Sequence, residues 1–271
     1  MALRTRRNHQ PDDDQPPEIS DEGMTLVEHL TELRRRLVKA VIALALGGVV
    51  GFIIYSPVLE ILQAPYCEIN PGNCDFIVTD PLQSFSVRLK VSAYVGLILA
   101  LPVVLWQLWR FITPGLYPKE KRYAIPFVAS SVVLFLLGAG LALWTFPNAL
   151  AFLNEVGGEQ LEAMYTPDKY LSLITFMMLA FGVGFEFPIV LVFLQMAGAL
   201  TWQRLASWRR WAVVGIFVSV AIITPSGDPF TLFALALPMV LFYEASILLG
   251  RFVIKRKSED EDEDEDADEY A

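Results

Sequence analysis

Four glutamates are the residues of this 271-residue chain whose positions could support chemistry. Glu186 and Glu244 fall inside long apolar runs, whereas Glu32 and Glu120 fall in strongly basic segments. An ionisable side chain inside an apolar run is costly to bury, so it is a candidate functional group by default. Two interpretations of Glu186 and Glu244 are open: a hydrogen-bonded structural carboxylate that faces a helix bundle, or a polar group on a transport surface or proton path.

Surface pairing is the simpler interpretation of the two glutamates in basic segments. Glu32 stands four residues before Arg36, which is the spacing of neighbours on one face of a helix, and Glu120 has a lysine on either side. Exposed ion pairs of this kind stabilise a protein little. The residue pattern alone does not decide between such pairing and a binding role.

None of the familiar catalytic or metal-binding arrangements occurs in the sequence. The two histidines, His9 and His29, belong to no Cys/His cluster with metal-ligand spacing. No lysine follows a glycine, which excludes a phosphate-binding P-loop, and no G-x-S-x-G elbow is found. We therefore predict a protein that is not an enzyme, with no cofactor, no metal site and no nucleic-acid partner.

The apolar runs predict the elements that position these carboxylates. Hydrophobic residues make up 54% of the chain, and its mean hydropathy is +0.45. Only helices or closed barrels satisfy the backbone inside lipid, and long runs without strict alternation indicate helices. The predicted fold class is all-α, a polytopic membrane protein with six transmembrane helices. The spans are predicted at about 37–55, 91–109, 124–146, 170–196, 211–224 and 230–249.

Positive charge alternates from one connection to the next, and this alternation predicts the orientation. Lysine and arginine gather before the first span, between spans two and three, between spans four and five, and after the sixth span. The remaining connections carry very little positive charge. Both termini are therefore predicted to lie in the cytoplasm, with the protein in the cytoplasmic (inner) membrane.

Polar segments flank the transmembrane domain, which is predicted at 24–257. Residues 1–23 are predicted to be a disordered cytoplasmic leader without an export signal. Residues 258–271 are predicted to be a disordered cytoplasmic tail, and they include eight consecutive acids from Glu259 to Asp266. The tail is either a solvated end or a docking segment for a basic partner.

The fifth predicted span, 211–224, is short for a membrane crossing. It rises about 21 Å, against a hydrocarbon core of about 30 Å. Either the bilayer thins locally at spans five and six, or these two spans form a re-entrant hairpin. Both alternatives keep the two termini on the same side of the membrane.

The predicted outer loop after the first span has features of its own. Ser56 and Pro57 resemble the start of a helix, and the following apolar residues predict a short interfacial helix that stops near Pro65. Cys67 and Cys74 are the only cysteines, and both fall on the predicted outer side. They form either a disulfide, which an oxidising compartment favours, or a pair of free thiols.

Several motifs, in the right order, resemble the TatC family, the large subunit of the twin-arginine protein translocase. The first is His-Leu-Thr-Glu-Leu-Arg-Arg-Arg-Leu at 29–37, which resembles the family's entry motif. The resemblance continues through Phe-Ile-Thr-Pro-Gly-Leu-Tyr at 111–117 and Glu-Lys-Arg at 120–122. It recurs at 180–188 and at the Thr-Pro pair 224–225, and it covers roughly 24–257.

The resemblance implies recognition of twin-arginine signal peptides on folded cargo at the cytoplasmic face. Glu32 and Glu120 match the family positions associated with the paired arginines. A carboxylate accepts the planar donor fork of arginine in a bidentate manner, which the point charge of lysine cannot copy. The further residues that match positions in or beside that site are Arg34, Phe111, Leu116 and Tyr117.

Other expectations concern the membrane interior and also come from the resemblance. Glu186 matches the intramembrane acid linked to contact with the small single-span Tat subunits, of TatA and TatB type. Asp228 stands one residue away from the family's acidic position after span five. Glu244 is a further polar contact candidate because it falls in an apolar run, and not because of the resemblance. The family also implies homo- and hetero-oligomers in membrane lipid, and the proton-motive force as the energy source.

A secondary transporter or an ion channel is the rival interpretation. In that case Glu186 and Glu244 would relay protons, and Pro102, Pro188 and Pro238 would break helices at a midplane site. No internal repeat is evident, which weakens this rival, and a membrane-bound enzyme lacks a catalytic constellation. A signal-peptide receptor and translocase core is the leading hypothesis.

Overall fold

The computed structural model describes residues 26–69, 74–112, 124–158, 165–224 and 226–254. Throughout these ranges the regular structure is helical, which confirms the predicted all-α polytopic fold class. The helices are α1 (Leu26–Ile53), α2 (Tyr55–Ile69), α3 (Gln83–Ile112), α4 (Ala124–Gly157), α5 (Pro167–Phe185), α6 (Phe187–Met196), α7 (Trp202–Ser207), α8 (Arg209–Ile223) and α9 (Pro229–Leu249), and a π-helical turn (Gly250–Ile254) follows.

Five segments in the described part of the chain are long and apolar enough to cross a membrane. They are Leu30–Ile53, Gln83–Phe111, Ile125–Gly157, Pro167–Met196 and Pro229–Phe252. The predicted span at 211–224 corresponds to α8, which has 15 residues. The number of six spans, the orientation of the termini and the domain boundaries therefore stay predictions.

α1 and α3 pack as an antiparallel pair whose backbones meet at glycines. A Cβ atom added to Gly96 would lie 2.6 Å from the backbone nitrogen of Gly48, and one added to Gly51 would lie 2.7 Å from the carbonyl oxygen of Ser92. Only residues without a side chain allow such an approach, as in other small-residue contacts between membrane helices. The contact fixes the relative height of the two helices.

The main core lies where α4, α5 and α9 pack together beneath α2. Several of its large side chains are at most 1% exposed, namely Phe146, Tyr170, Ile174, Met177 and Phe181. The Tyr170 hydroxyl donates to the Leu62 carbonyl of α2 at 2.8 Å, so the buried phenol is satisfied. α4 has 34 residues and is about 51 Å long, so it extends beyond a hydrocarbon core of about 30 Å.

The predicted fourth span consists of two helices that meet at Glu186. α5 ends at Phe185 and α6 begins at Phe187, with Pro188 in its first turn. Proline has no N–H to donate, and its ring clashes with the preceding turn, so the sequence favours a break here. The structure thus has the interruption that the proline predicts, and it places the ionisable residue at the junction.

The predicted stop of the outer helix at Pro65 is wrong. α2 begins at Tyr55 and continues to Ile69 with Pro65 inside it. Pro65 is buried, as are Leu62 and Tyr66 on the same helix, and this packing offsets the lost backbone hydrogen bond. Next to the end of α2, the structure joins Cys67 to Cys74 in a disulfide, with their Cα atoms 4.9 Å apart.

Candidate functional site

Glu32 lies on α1 near the start of the described chain and already holds a guanidinium group. Its carboxylate accepts from Arg36 one turn later, with Arg36 Nε 3.1 Å from Glu32 Oε1. The Glu32 side chain is 25% exposed and that of Arg36 is 14% exposed, so the pair is half-buried rather than fully solvated. Arg34, on another face of the same turn, is exposed. The i,i+4 pairing that the spacing predicts is present.

The packing of α1 on α3 brings Glu32 level with Phe111. Gly51 contacts Ser92 and Gly47 contacts Gly96. Moving four residues towards the start of α1 therefore corresponds to moving four residues towards the end of α3. Because both helices rise by the same amount per residue, continuing this register towards the start of α1 places Glu32 at the height of Phe111. Both residues therefore lie at the same end of the helix pair.

Three of the predicted signal-peptide residues, Leu116, Tyr117 and Glu120, lie outside the described residues. The connection that carries them leaves α3 at Ile112, one residue after Phe111. It therefore begins at the height of Glu32.

Glu186 borders two cavities of the apolar bundle, and the exposed side chain of Val190 lines both of them. A cavity of about 560 Å³ lies on the side of α8 and α9, and one of about 320 Å³ lies on the side of α3 and α4. The Glu186 carboxyl interacts with the Ser131 hydroxyl on α4. Its Oε1 atom is buried and has no hydrogen-bond partner among the described residues. An unsatisfied acceptor next to open space is a polar group available to an incoming helix.

Trp109 and Ser131 belong to this site although no motif in the sequence marks them. Both line the smaller cavity together with Glu186. Trp109 is 7% exposed, and its indole N–H is buried without a hydrogen-bond partner among the described residues. A buried indole N–H normally has a hydrogen-bond acceptor. The position of Trp109 near the end of an apolar run was therefore the one feature of the sequence that could have marked it as a site residue.

Glu244 is placed differently from Glu186 and lines neither of the two cavities. Its carboxylate pairs with the Arg209 guanidinium at 2.8 Å, across α8 and α9. The two side chains are 39% and 52% exposed, respectively. This ion pair favours the structural interpretation, and a role of Glu244 in partner contact stays a prediction.

Asp228 caps the start of α9. It is 1% exposed and accepts from the Thr231 N–H at 2.6 Å and from the Ser226 hydroxyl at 2.5 Å. Pro229 follows at the first helical position, where a missing N–H costs nothing. The contacts of Asp228 are those of a helix cap, and its predicted role in partner contact stays a prediction.

Charged residues at the other end of α3 are engaged in local contacts. The Lys90 ammonium group contacts Asp168 and also donates to the Ser172 hydroxyl at 3.2 Å. The Arg88 guanidinium stacks on the Phe52 ring, 4.2 Å from its centroid.

Metal-ligating side chains do not gather in the described ranges. No group of three or more His, Cys, Asp or Glu residues there could hold a metal ion. Partly buried carboxylates lie instead at one end of the α1–α3 pair and at the break between α5 and α6. A helical bundle with membrane-length segments and these carboxylates defines a polytopic membrane protein.

The comparison with family models places this membrane protein in one family. Residues 28–238 match the model of the Sec-independent protein translocase protein (TatC). The chain belongs to the TatC family. The resemblance that the sequence motifs indicate is thereby confirmed.

Named relatives and solved structures agree with this assignment. The chain is 43% identical to the Sec-independent protein translocase protein TatC of Aquifex aeolicus over 241 residues, covering 87% of this chain and 98% of the relative. It is 40% identical to that of Frankia casuarinae over 243 residues, covering 86% and 67%, respectively.

Two crystal structures of the twin-arginine translocase receptor TatC are also similar. The first has a TM-score of 0.67 and 43% identity, over 83% of this chain and 98% of that chain. The second, in DDM, has a TM-score of 0.69 and 42% identity, over 82% and 99%. The protein is thus a membrane component of the Tat protein translocase, which is a transport system and not a catalytic enzyme family.

Proposed function

We propose that this chain binds the paired arginines of twin-arginine signal peptides through Glu32 and Glu120. The observation that carries this proposal is the register of α1 on α3. That register brings the half-buried Glu32 level with Phe111, from which the connection to Glu120 begins. A second carboxylate on that connection would give the site two acceptors for two consecutive guanidinium groups.

The contact between Glu32 and Arg36 supports the chemistry of this proposal. The Glu32 carboxylate already accepts from a guanidinium group in a half-buried setting, where a charge-assisted hydrogen bond is stronger than in bulk water. An arginine of the peptide would join this pair or replace Arg36 in it. Lysine would bring the same charge without the fork geometry.

The remaining residues assigned to the site have supporting roles. Phe111 places an aromatic ring at the height of Glu32, and the sequence places Leu116 and Tyr117 on the connection that follows. Arg34 is exposed near Glu32 in the sequence. Its positive charge repels the positively charged arginines of the peptide. Two strong acceptors, rather than net charge, would then select the arginine pair.

We also propose that Glu186 is a docking point for small single-span Tat subunits of TatA and TatB type. The support is its free carboxylate oxygen, which is buried in the bundle next to cavities of about 560 and 320 Å³. An apolar helix that carries one polar side chain would fill such a cavity and satisfy this acceptor. The Trp109 indole would be a second polar contact in the smaller cavity.

The proposed setting is the cytoplasmic (inner) membrane, with six spans and both termini in the cytoplasm. The chain would work in homo- and hetero-oligomers. Export of folded proteins would be driven by the proton-motive force. Arginine and lysine at the ends of alternate connections support this orientation. Dissipating the proton gradient with a protonophore should stop export while leaving signal-peptide binding intact.

Binding of a labelled twin-arginine peptide to the full chain in nanodiscs tests the main proposal. Glu120→Gln should weaken binding at least about tenfold, because it removes a charge-assisted hydrogen bond worth about 1.5–3 kcal/mol. A peptide with Lys-Lys in place of Arg-Arg should show a similar loss. Undiminished binding by the double variant Glu32→Gln, Glu120→Gln would exclude the proposal.

Two control variants separate recognition from general damage. Glu60→Gln removes an exposed carboxylate on α2 and should leave peptide binding unchanged. Arg36→Gln removes the residue that occupies Glu32 in the structure, so it should not weaken binding. A loss for Arg36→Gln as large as that for Glu32→Gln would mean that the internal pair, not the peptide, needs Glu32.

Crosslinking to the single-span subunits tests the docking proposal separately. Glu186→Gln should change those crosslinks and should leave binding of the signal peptide largely intact. Unchanged crosslinks together with normal export would assign Glu186 a structural role only.

A further inference from the structure

An apolar cavity lies at the junction of α7 and α8, in a stretch of sequence that is rich in arginine. Thr201 caps the six-residue α7, and α8 begins directly after Trp208. The cavity has a volume of about 410 Å³, and Leu191, Leu205, Trp208, Trp211 and Tyr243 are among its lining residues. The Tyr243 hydroxyl donates to the Leu205 carbonyl at 2.7 Å, so the polar group of its wall is satisfied internally.

Two tryptophans of this cavity stand at the boundary between charged and apolar sequence. Trp208 is 54% exposed and Trp211 is 79% exposed. Arg209 and Arg210 lie between them, and an apolar run begins at Ala212. Exposed indole rings at such a boundary are typical of the interface between lipid headgroups and acyl chains.

The arginines that flank the lining residues in the sequence carry more charge than the described residues neutralise. Arg204, Arg209 and Arg210 are exposed, and Arg209 pairs with Glu244 at 2.8 Å. In the part of the chain that the structure describes, the side chains of Arg204 and Arg210 have no ion-pair partner. Arg251 adds a further cation nearby, with its guanidinium 5.7 Å from the centre of the Trp202 ring.

We propose that this cavity and its arginines bind an anionic phospholipid of the phosphatidylglycerol type. The phosphate takes the guanidinium donors of Arg204 and Arg210, whose fork geometry suits phosphate oxygens. The upper part of an acyl chain fills the apolar cavity under the two indole rings. An anionic lipid fits better than an acidic protein segment because the charged and apolar parts of the site meet at the level of the tryptophans.

Quenching of tryptophan fluorescence by brominated lipids reports on this site. The full chain is reconstituted in phosphatidylcholine bilayers that contain either dibrominated phosphatidylglycerol or dibrominated phosphatidylcholine. The chain has six tryptophans, so the Trp208→Phe, Trp211→Phe variant is measured in parallel and subtracted. The difference gives the relative affinity of the two lipids at the cavity.

The expected preference for phosphatidylglycerol is at least about fivefold and falls with added salt. The ratio of the two lipid affinities should decrease to nearly one in the double variant Arg204→Gln, Arg210→Gln. Lys169→Gln removes an exposed cation at the start of α5 and should leave the preference unchanged. Glu244→Gln should increase the preference, because it releases the Arg209 guanidinium for the phosphate.

Three results would overturn the proposal. One is equal quenching by both lipids in the unchanged chain. Another is a preference for phosphatidylglycerol that remains in the double variant Arg204→Gln, Arg210→Gln. The last is a preference that appears only after residues 258–271 are removed, because the acidic run Glu259–Asp266 would then be the true partner of these arginines.

Discussion

Substitution of Gly96 by alanine tests how closely α1 and α3 must approach. The added Cβ would lie 2.6 Å from the nitrogen and 2.8 Å from the Cα of Gly48, and 3.0 Å from the carbonyl oxygen of Leu44. All three atoms belong to backbone, so no side chain can turn away. The helices would have to separate by about 1 Å to restore ordinary contact distances.

The expected cost follows from two opposing effects. Overpacking of a tight contact costs about 1–3 kcal/mol, whereas alanine is favoured over glycine in a helix by up to about 1 kcal/mol. The net loss is about 1–2 kcal/mol, which lowers Tm by about 2–8 °C in a protein of this size. Thermal unfolding of the detergent-solubilised chain, followed by circular dichroism, measures this decrease in Tm.

The same variant should also weaken peptide binding, although Gly96 is far along α3 from the proposed site. Separation of the helices shifts Glu32 relative to Phe111, which changes the spacing that the register sets. Gly140→Ala on α4 is the matched control, because its Cβ would meet no atom within 4 Å. If Gly96→Ala is as stable as Gly140→Ala and binds peptide normally, the close backbone contact does not position the site.

Two further predictions concern groups that hold the bundle together. Tyr170→Phe removes the hydrogen bond that the buried phenol donates to the Leu62 carbonyl, so it should lower stability by about 0.5–1.5 kcal/mol in the same thermal assay. Asp228→Ala removes the cap of α9 and should cost about 1 kcal/mol, and Asp228→Asn, which can still accept from Thr231, should recover most of the loss. An Asp228→Asn variant no more stable than Asp228→Ala would show that its charge, not its capping, matters.

Much of the fold could be predicted from the sequence because lipid imposes a strong constraint. Apolar runs of membrane length can only be helices there, and the five candidate spans fall on five of the six predicted positions. The break at Glu186 was equally predictable, since Pro188 cannot continue a helix without loss of a hydrogen bond. Pro65 carried the same signal but was misleading, because burial around Tyr66 favours a continuous α2.

The site depends on contacts between helices that sequence periodicity does not encode. The height of Glu32 relative to Phe111 follows from the meeting of Gly47 and Gly96, and no local pattern predicts which glycines meet. The pairing of Glu244 with Arg209 likewise joins two separate helices. Local spacing did predict the pair between Glu32 and Arg36, because both residues lie on one helix face.

The filled centre of the bundle constrains the route of any cargo. Phe146, Tyr170 and Phe181 occupy the middle of the α4–α5–α9 packing with almost no exposed surface. The cavities at Glu186, of about 560 and 320 Å³, are the size of a few side chains, whereas a folded domain is tens of ångströms wide. The described helices therefore enclose no conduit of that width. The export of folded proteins proposed above would therefore need a passage that lies outside the helices of a single chain.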